Sequence, residues 1–142
     1  MSKTTSNSSV RFVFILVAAV LALAAGVYFL SIHGTFGLRD THNGNCYDPI
    51  ITWLLIGGAV VAAALASVKK EGLASAVTAI VPGAAFCVFV HKCYWYVTDV
   101  FVGIDEPKGQ FDPRFIIFAG LLIAAFVVGE VAVYLRSRKG RA

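Results

Sequence analysis

Charged residues are scarce in this chain of 142 residues: they make up 14% of it, against about 25% in an ordinary soluble domain. Only three cysteines are present, which excludes a small secreted scaffold held together by disulfide bonds. The net charge of +4 lies mainly at the two ends, which gives no support to a nucleic-acid-binding domain. Hydrophobic residues, by contrast, make up 58% of the chain, which excludes disorder and leaves too few polar side chains to cover a surface in water. The composition therefore predicts that most of the surface faces lipid.

Four stretches are long and apolar enough to cross a bilayer, whose hydrocarbon core of about 30 Å needs about 20 helical residues. Backbone polar groups in lipid must be paired within the protein, and no stretch alternates with the period of a membrane barrel strand. The fold prediction is therefore an all-α integral membrane four-helix bundle. We expect a cytoplasmic tail at residues 1–11, a transmembrane domain at 12–136 with spans at 12–32, 49–68, 72–98 and 115–135, and a basic cytoplasmic tail at 137–142.

The distribution of Lys and Arg predicts the orientation, because these residues accumulate on the cytoplasmic side of a membrane. Lys69 and Lys70 occupy the short turn between the second and third spans, and both tails are basic. The connections after the first and third spans are richer in acidic residues. The sequence thus predicts a multi-pass protein of the cell membrane with both termini in the cytoplasm.

Small side chains recur at every fourth position in the spans, and this pattern predicts close helix packing, because helices in lipid gain little from burying apolar surface against each other. The turn between the second and third spans is so short that these two spans must be antiparallel neighbours, with their small residues face to face. Pro82, in the middle of the third span, predicts a bend. The small residues are Ala18, Ala22 and Gly26, then Gly58, Ala62 and Ala66, then Ser75, Ala79, Gly83 and Cys87, and finally Ala125 and Gly129.

Two spans begin with the same dipeptide, Asp48-Pro49 and Asp112-Pro113. Asp at the N-cap accepts hydrogen bonds from backbone N–H groups, and Pro suits the first helical position. Each dipeptide also follows a segment that holds a Phe, a Gly and an Asp. This pattern is consistent with two repeated helical hairpins, although Asp-Pro is a common helix start and a chance likeness stays open.

Glu130 is the only acidic residue inside an otherwise apolar span. Because an ionisable group is costly in lipid, it is the candidate ion-coupling residue. The alternative is a structural role near the cytoplasmic boundary, with an ion pair to Lys69, Lys70 or Arg136. Small multidrug exporters are similar in size and span number, but their membrane Glu lies in the first helix, and the first span here has no charge.

Cys46 and Cys93 both fall at the predicted outer ends of neighbouring spans, where an oxidising compartment favours a disulfide bond. Cys87 lies deeper and is predicted to be a buried packing residue. A thiol-redox enzyme of this size would need a Cys-x-x-Cys pair at the membrane surface, and the chain has none, so no enzymatic activity is predicted. The outer His and Cys residues match no compact ligand spacing, so neither a metal site nor a cofactor is predicted.

The segment after the third span is unusually apolar for a water-facing loop. It runs Val100-Phe101-Val102-Gly103-Ile104. Either it continues the third span along the membrane boundary or another protein covers it, because exposed apolar surface of this kind marks protein contacts. These five residues are therefore the candidate partner contact.

The run from Val100 to Asp105, followed by Phe111-Asp112-Pro113, an apolar last helix and a basic tail, resembles small four-helix membrane proteins of anaerobic Gram-positive bacteria that accompany carbohydrate ABC importers. The resemblance covers the last part of the chain and includes no catalytic signature. It implies an accessory membrane subunit whose partners are the lipid bilayer and other membrane-protein subunits, such as a transporter permease.

Two functions are predicted from these observations. The first is an accessory or structural subunit of a larger membrane complex, specifically a carbohydrate ABC transporter, and it rests on helix faces suited to packing and on the apolar segment after the third span. The alternative is a small homo-oligomeric transporter that couples ions or a solute to Glu130.

Overall fold

The computed structural model describes residues 2–32, 48–103 and 109–139, and the side chains of residues 10–135 within those ranges. This part of the chain is all-α, and its helices are long and apolar enough to cross a membrane, as predicted. The helices form a four-helix bundle. They are α1 (Ser2–Ser31), α2 (Pro49–Ser67), α3 (Glu71–Val102) and α4 (Pro113–Lys139).

Two helices extend beyond the predicted spans. Helix α1 begins at Ser2 instead of residue 12, so the segment predicted as a tail is helical and continuous with the first span, and neither Gly nor Pro interrupts it. Helix α3 continues to Val102 instead of ending near residue 98. It ends where Gly103 adopts a left-handed conformation with φ of 77° and donates its N–H to the carbonyl of Asp99.

The two Asp-Pro dipeptides start their helices in the same way. Asp48 Oδ1 accepts a hydrogen bond from the backbone N–H of Ile50 at 2.9 Å, and Asp112 Oδ1 accepts one from Arg114 at 2.8 Å. The hairpin repeat itself stays a prediction, because the Phe, Gly and Asp that precede Asp48 lie outside the described residues.

The helices are arranged in a ring that follows the chain order, with α1 and α3 each packed against both α2 and α4. Helices α1 and α3 also contact each other across the diagonal, so side chains fill the axis of the bundle. The α2–α3 turn, where Lys69 adopts φ of 61°, makes these helices antiparallel neighbours as predicted. We call the end with this turn the turn end, and the opposite end, where α2 and α4 begin, the loop end.

The core differs between the two ends. Towards the loop end it is aromatic: Phe29 of α1 stacks on Phe118 of α4 with ring centroids 4.3 Å apart, and Phe89 of α3 meets Phe118 edge to face at 4.8 Å. Towards the turn end each helix contributes one aliphatic residue to a second cluster. Its buried members are Ile15, Ala66, Ala74 and Ala132.

Glycines allow three successive pairs of helices to approach closely. A methyl group on Gly26 of α1 would lie 2.9 Å from Ile56 Cγ1 of α2, and one on Gly58 of α2 would overlap Val81 of α3. One on Gly129 of α4 would overlap the backbone carbonyl of Thr78 in α3. Close packing at small residues is therefore confirmed at these positions, with partners within the chain. The expectation that small residues of α2 and α3 lie face to face is wrong at Gly58, which meets the large side chain of Val81.

Cys87 is an exception, because it is exposed and not buried as predicted. The reason is geometric. A helix has 3.6 residues per turn, so each step of four residues advances by about 40° around its axis. The row of small residues on α3, which begins at the buried Ser75, consequently turns away from the core before it reaches Cys87.

Pro82 and Gly129 act on the same backbone carbonyl. Pro82 has no N–H, so the carbonyl of Thr78, four residues earlier, has no helical donor. Gly129 brings the α4 backbone against that carbonyl, where a Cα–H group can serve as a weak donor. Helix α3 runs without interruption through Pro82.

This contact predicts opposite effects for two glycines of α4. Gly129→Ala is expected to lower the free energy of unfolding by about 1–3 kcal/mol, because a backbone carbonyl cannot move aside for the new methyl group. Gly120→Ala is the matched control: a methyl group there meets no atom within 4 Å, and replacing Gly by Ala in a helix stabilises by about 0.5–1 kcal/mol. Thermal unfolding in detergent measures both, and equal melting temperatures would contradict the close α3–α4 approach.

Candidate functional site

An ion pair at the loop end joins α3 to the start of α2. Lys92 Nζ lies 3.5 Å from Asp48 Oδ2, while the other carboxylate oxygen of Asp48 caps α2. Asp48 is largely buried and Lys92 is half-exposed. The ion pair holds Lys92 at about the same height along the bundle axis as the first residue of α2. The last turns of α3, which follow Lys92, therefore extend beyond the start of α2.

Cys93, one of the two predicted disulfide partners, is buried in the aromatic core beside Phe89. Its proposed partner, Cys46, lies outside the described residues. Cys46 comes two residues before Asp48, and Asp48 contacts Lys92, the neighbour of Cys93. No disulfide bond is seen in the described part of the chain, and the Cys46–Cys93 bond stays a prediction without structural support.

The candidate partner contact is mostly the last turn of α3 and not a loop. Val100 is fully buried, and its carbonyl accepts the N–H of Gly109 at 3.0 Å. Phe101 and Val102 point outward with 62% and 60% of their surface exposed, next to the helix end at Gly103. Ile104 lies outside the described residues.

Helix α4 supports this last turn from one side. The hydroxyl of Tyr96 accepts a hydrogen bond from the backbone N–H of Asp112 at 3.0 Å, and its ring lies 5.2 Å from that of Phe115. The ring of Phe111 lies between those of Phe101 and Phe115, at 5.7 and 5.5 Å. We did not anticipate this row of rings, although the aromatic residues at 96, 101, 111 and 115 were visible in the sequence.

Glu130 is exposed on the outer side of α4, one residue after the glycine that contacts α3. Of the side chains that the structure describes, neither Lys69 nor Lys70 forms an ion pair with it, and the side chain of Arg136 is not among those described. Glu130 therefore presents its carboxylate outward from the bundle and not into its core.

A second ion pair, also not anticipated, crosses the bundle at the turn end. Arg11 Nε of α1 lies 3.8 Å from Glu71 Oε2 at the start of α3, with both side chains largely buried. A carboxylate in the first turn of a helix also interacts favourably with the helix dipole. The pair ties α1 to α3 at the end where both helices have charged residues.

Within residues 10–32, 48–103 and 109–135, no three His, Cys, Asp or Glu side chains converge as metal ligands would. Comparison of the chain with protein-family models, with curated proteins and with solved structures gives no match. Three features of the described residues bear on function: the exposed Glu130, the Lys92–Asp48 ion pair at the loop end, and the exposed tip of α3.

The predicted disulfide can be tested by counting thiols. The protein is denatured in N-ethylmaleimide without reductant, and intact mass spectrometry is expected to show one adduct per chain, on Cys87, because the predicted bond would block the thiols of the other two of the three cysteines. Reduction before alkylation should give an adduct on every cysteine, and Cys87→Ser should remove the single adduct. Adducts on Cys46 and Cys93 without reduction would contradict the bond.

Proposed function

We propose that this protein is a multi-pass protein of the cell membrane, with both termini in the cytoplasm, and that it serves as an accessory or structural subunit of a larger membrane complex. The four apolar helices support the membrane location. The basic turn at Lys69 and Lys70 supports the orientation. The resemblance of the last part of the chain favours a carbohydrate ABC transporter as the complex.

The length of α3 indicates that this helix extends beyond the hydrocarbon core of a bilayer. With 32 residues it is about 48 Å long, whereas the hydrocarbon core is about 30 Å thick. If Lys69 and Lys70 mark the cytoplasmic boundary, about 20 residues bring α3 to the opposite boundary, close to Lys92. Tyr94 and Trp95, both exposed, follow there, as expected for aromatic residues at headgroup level.

The tip of α3, formed by Phe101 and Val102, is the single observation on which the proposal depends. It lies nine and ten residues beyond Lys92, or about 14 Å further along the helix, which is past the hydrocarbon core and the headgroups. Both side chains are largely exposed. Two large apolar side chains at the end of a helix in water indicate contact with another protein.

The small-residue faces, which also favoured this function in the sequence, no longer support it. Gly26, Gly58 and Gly129 all meet residues of the same chain. The proposed partner contact is therefore confined to the loop end, and a partner would approach the tip of α3 from the side that α4 leaves open.

Replacement of the tip residues tests the proposal. The double variant Phe101→Ser/Val102→Ser is expected to lose the membrane subunits that co-purify with the tagged protein in mild detergent, because the apolar surface of the tip is removed. It also removes the edge contact between the rings of Phe101 and Phe111, although neither changed residue belongs to the buried core. The control is Val68→Ser, which changes a residue of similar exposure at the turn end. Melting temperatures verify that both variants fold.

Two results would overturn the proposal. In the first, the unmodified protein purifies alone under mild detergent. In the second, the double variant retains the same partner as Val68→Ser. Photo-crosslinking from position 102, compared with position 68, identifies the subunit that touches the tip.

The exposure of Glu130 favours a second candidate function, a homo-oligomeric transporter that couples an ion or solute to this carboxylate. A charge on the outer side of an apolar helix needs a polar partner. A neighbouring copy would supply one if the outer side of α4 formed the subunit interface. The site would then lie between copies and not within one bundle.

A flux measurement tests this alternative. Glu130→Gln is expected to abolish proton-coupled flux in liposomes, because the amide keeps the shape of the side chain and cannot exchange a proton. Glu71→Gln is the control, since Glu71 is an acid of the turn end that already pairs with Arg11. Equal flux in the unmodified protein and in Glu130→Gln would exclude ion coupling through Glu130.

A further inference from the structure

The turn end of the bundle carries a strong excess of positive charge. The helix ends and the turn that meet there, residues 2–15, 66–74 and 132–139, hold more than half of the 12 Lys and Arg residues of the chain. Glu71 is the single acid in these segments. Such a concentration of one sign attracts anions, and its effect depends on where the charges lie relative to the core.

Three of these cations occupy equivalent positions, one helical turn beyond the buried cluster of the turn end. The cluster has one buried member in each helix. Arg11, Lys70 and Arg136 each lie four residues from the member in α1, α3 and α4, in the direction of the turn, and Lys70 is the N-cap of α3. Residues four apart lie on the same side of a helix, about 6 Å apart along its axis. Positions 11, 70 and 136 therefore lie at about one level, on the helix sides that face the bundle axis.

The side chain of Arg11 shows that this direction is inward. Only 14% of it is exposed, and its Nε is buried without a hydrogen-bond partner. This Nε lies 3.8 Å from Glu71 Oε2, which is longer than a hydrogen bond. A buried guanidinium needs a counter-charge, and at this level one carboxylate stands against three cations. The charge at this level therefore favours a further anion.

Exposed apolar surface adjoins these cations on the side towards the loop end. Leu73, three residues after Lys70, and Val13, two residues after Arg11, are each more than half exposed. Lys70 is itself exposed, so an anion can reach it from outside the bundle. A ligand here would meet cations at one level and apolar side chains within the next turn. A phospholipid has its phosphate and its acyl chains in this order, whereas inorganic phosphate and an acidic peptide lack the chains.

We propose that the turn end binds an anionic phospholipid of the cytoplasmic leaflet. Its phosphodiester lies at the level of Arg11, Lys70 and Arg136, and its acyl chains lie along the apolar surface beside Leu73. Basic clusters at the cytoplasmic ends of membrane helices recognise anionic headgroups in this way. This inference rests on the membrane location and orientation proposed above and does not depend on the partner at the tip of α3.

Competition between two lipids with the same acyl chains measures this binding. The full chain is purified in mild detergent and incubated with equal amounts of palmitoyl-oleoyl phosphatidylglycerol and palmitoyl-oleoyl phosphatidylcholine. Native mass spectrometry then gives the ratio of the two lipids that the protein retains. This ratio is the preference for the anionic headgroup, and each cation of the site is expected to contribute about fivefold to it.

A variant of the turn locates the site. Lys69→Asn/Lys70→Gln is expected to lower the preference about 25-fold, because it removes two cations. Asn suits position 69, where φ is 61°. The control is Lys108→Gln/Arg114→Gln, which removes the same charge just before and at the start of α4 and should keep the preference. Melting temperatures verify that both variants fold.

Two single variants test the site without changing the turn. Arg136→Gln is expected to lower the preference about fivefold, because one cation is lost. Glu71→Gln is expected to raise it, because the carboxylate that competes with the lipid for Arg11 is removed. A purely structural Arg11–Glu71 pair would give no such increase.

Equal retention of both lipids by the unmodified protein would overturn the inference, and so would a preference that survives both Lys69→Asn/Lys70→Gln and Arg136→Gln. Complete displacement of phosphatidylglycerol by inorganic phosphate, compared with chloride at equal ionic strength, would also overturn it, because the acyl chains would then contribute nothing. These results would leave the proposed membrane location and orientation unchanged. A C-terminal tag that extracellular protease removes from intact cells would instead contradict the orientation, so failure of the two proposals is distinguishable.

Discussion

The close approach of helix backbones is the constraint on which this structure depends. Gly26, Gly58 and Gly129 each remove a side chain from one of three successive helix contacts. In lipid, such contacts are favoured by van der Waals packing, because burying apolar surface contributes little. Of these three contacts, the α3–α4 contact is the least tolerant of a larger residue, because Gly129 meets a backbone carbonyl and not a movable side chain. Both the aromatic core at the loop end and the tip of α3 are positioned by this pair of helices.

The few charges act mainly at the ends of the helices. Arg11 and Glu71 join α1 to α3 at the turn end, and Lys92 and Asp48 join α3 to α2 at the loop end. Helix α3 is thus held at two levels, which fixes its position along the bundle axis. For ion pairs with largely buried partners, the cost of removing the charges from water offsets much of their attraction, so their main effect here is on register. Glu130 differs because it lies within an apolar helix and faces outward.

The number and positions of the helices were predictable, because hydropathy over about 20 residues does not depend on which neighbour a helix meets. The rotation of each helix was not. In α3, for example, Val100 is buried and the next residue, Phe101, is exposed. Which of these two apolar residues faces the core depends on how the helix is rotated against its neighbours, and hydropathy does not specify that rotation. Cys87 illustrates the same limit, because a four-residue repeat drifts around the helix.

The core changes in character along the bundle. Phe29, Phe89 and Phe118 meet at the loop end, whereas the buried residues of the turn-end cluster are Ile15 and three alanines. Because the distance between two packed helices follows the size of the side chains between them, the two ends favour different local packing. The core residues of one end therefore cannot take the place of those at the other without repacking of the helices around them.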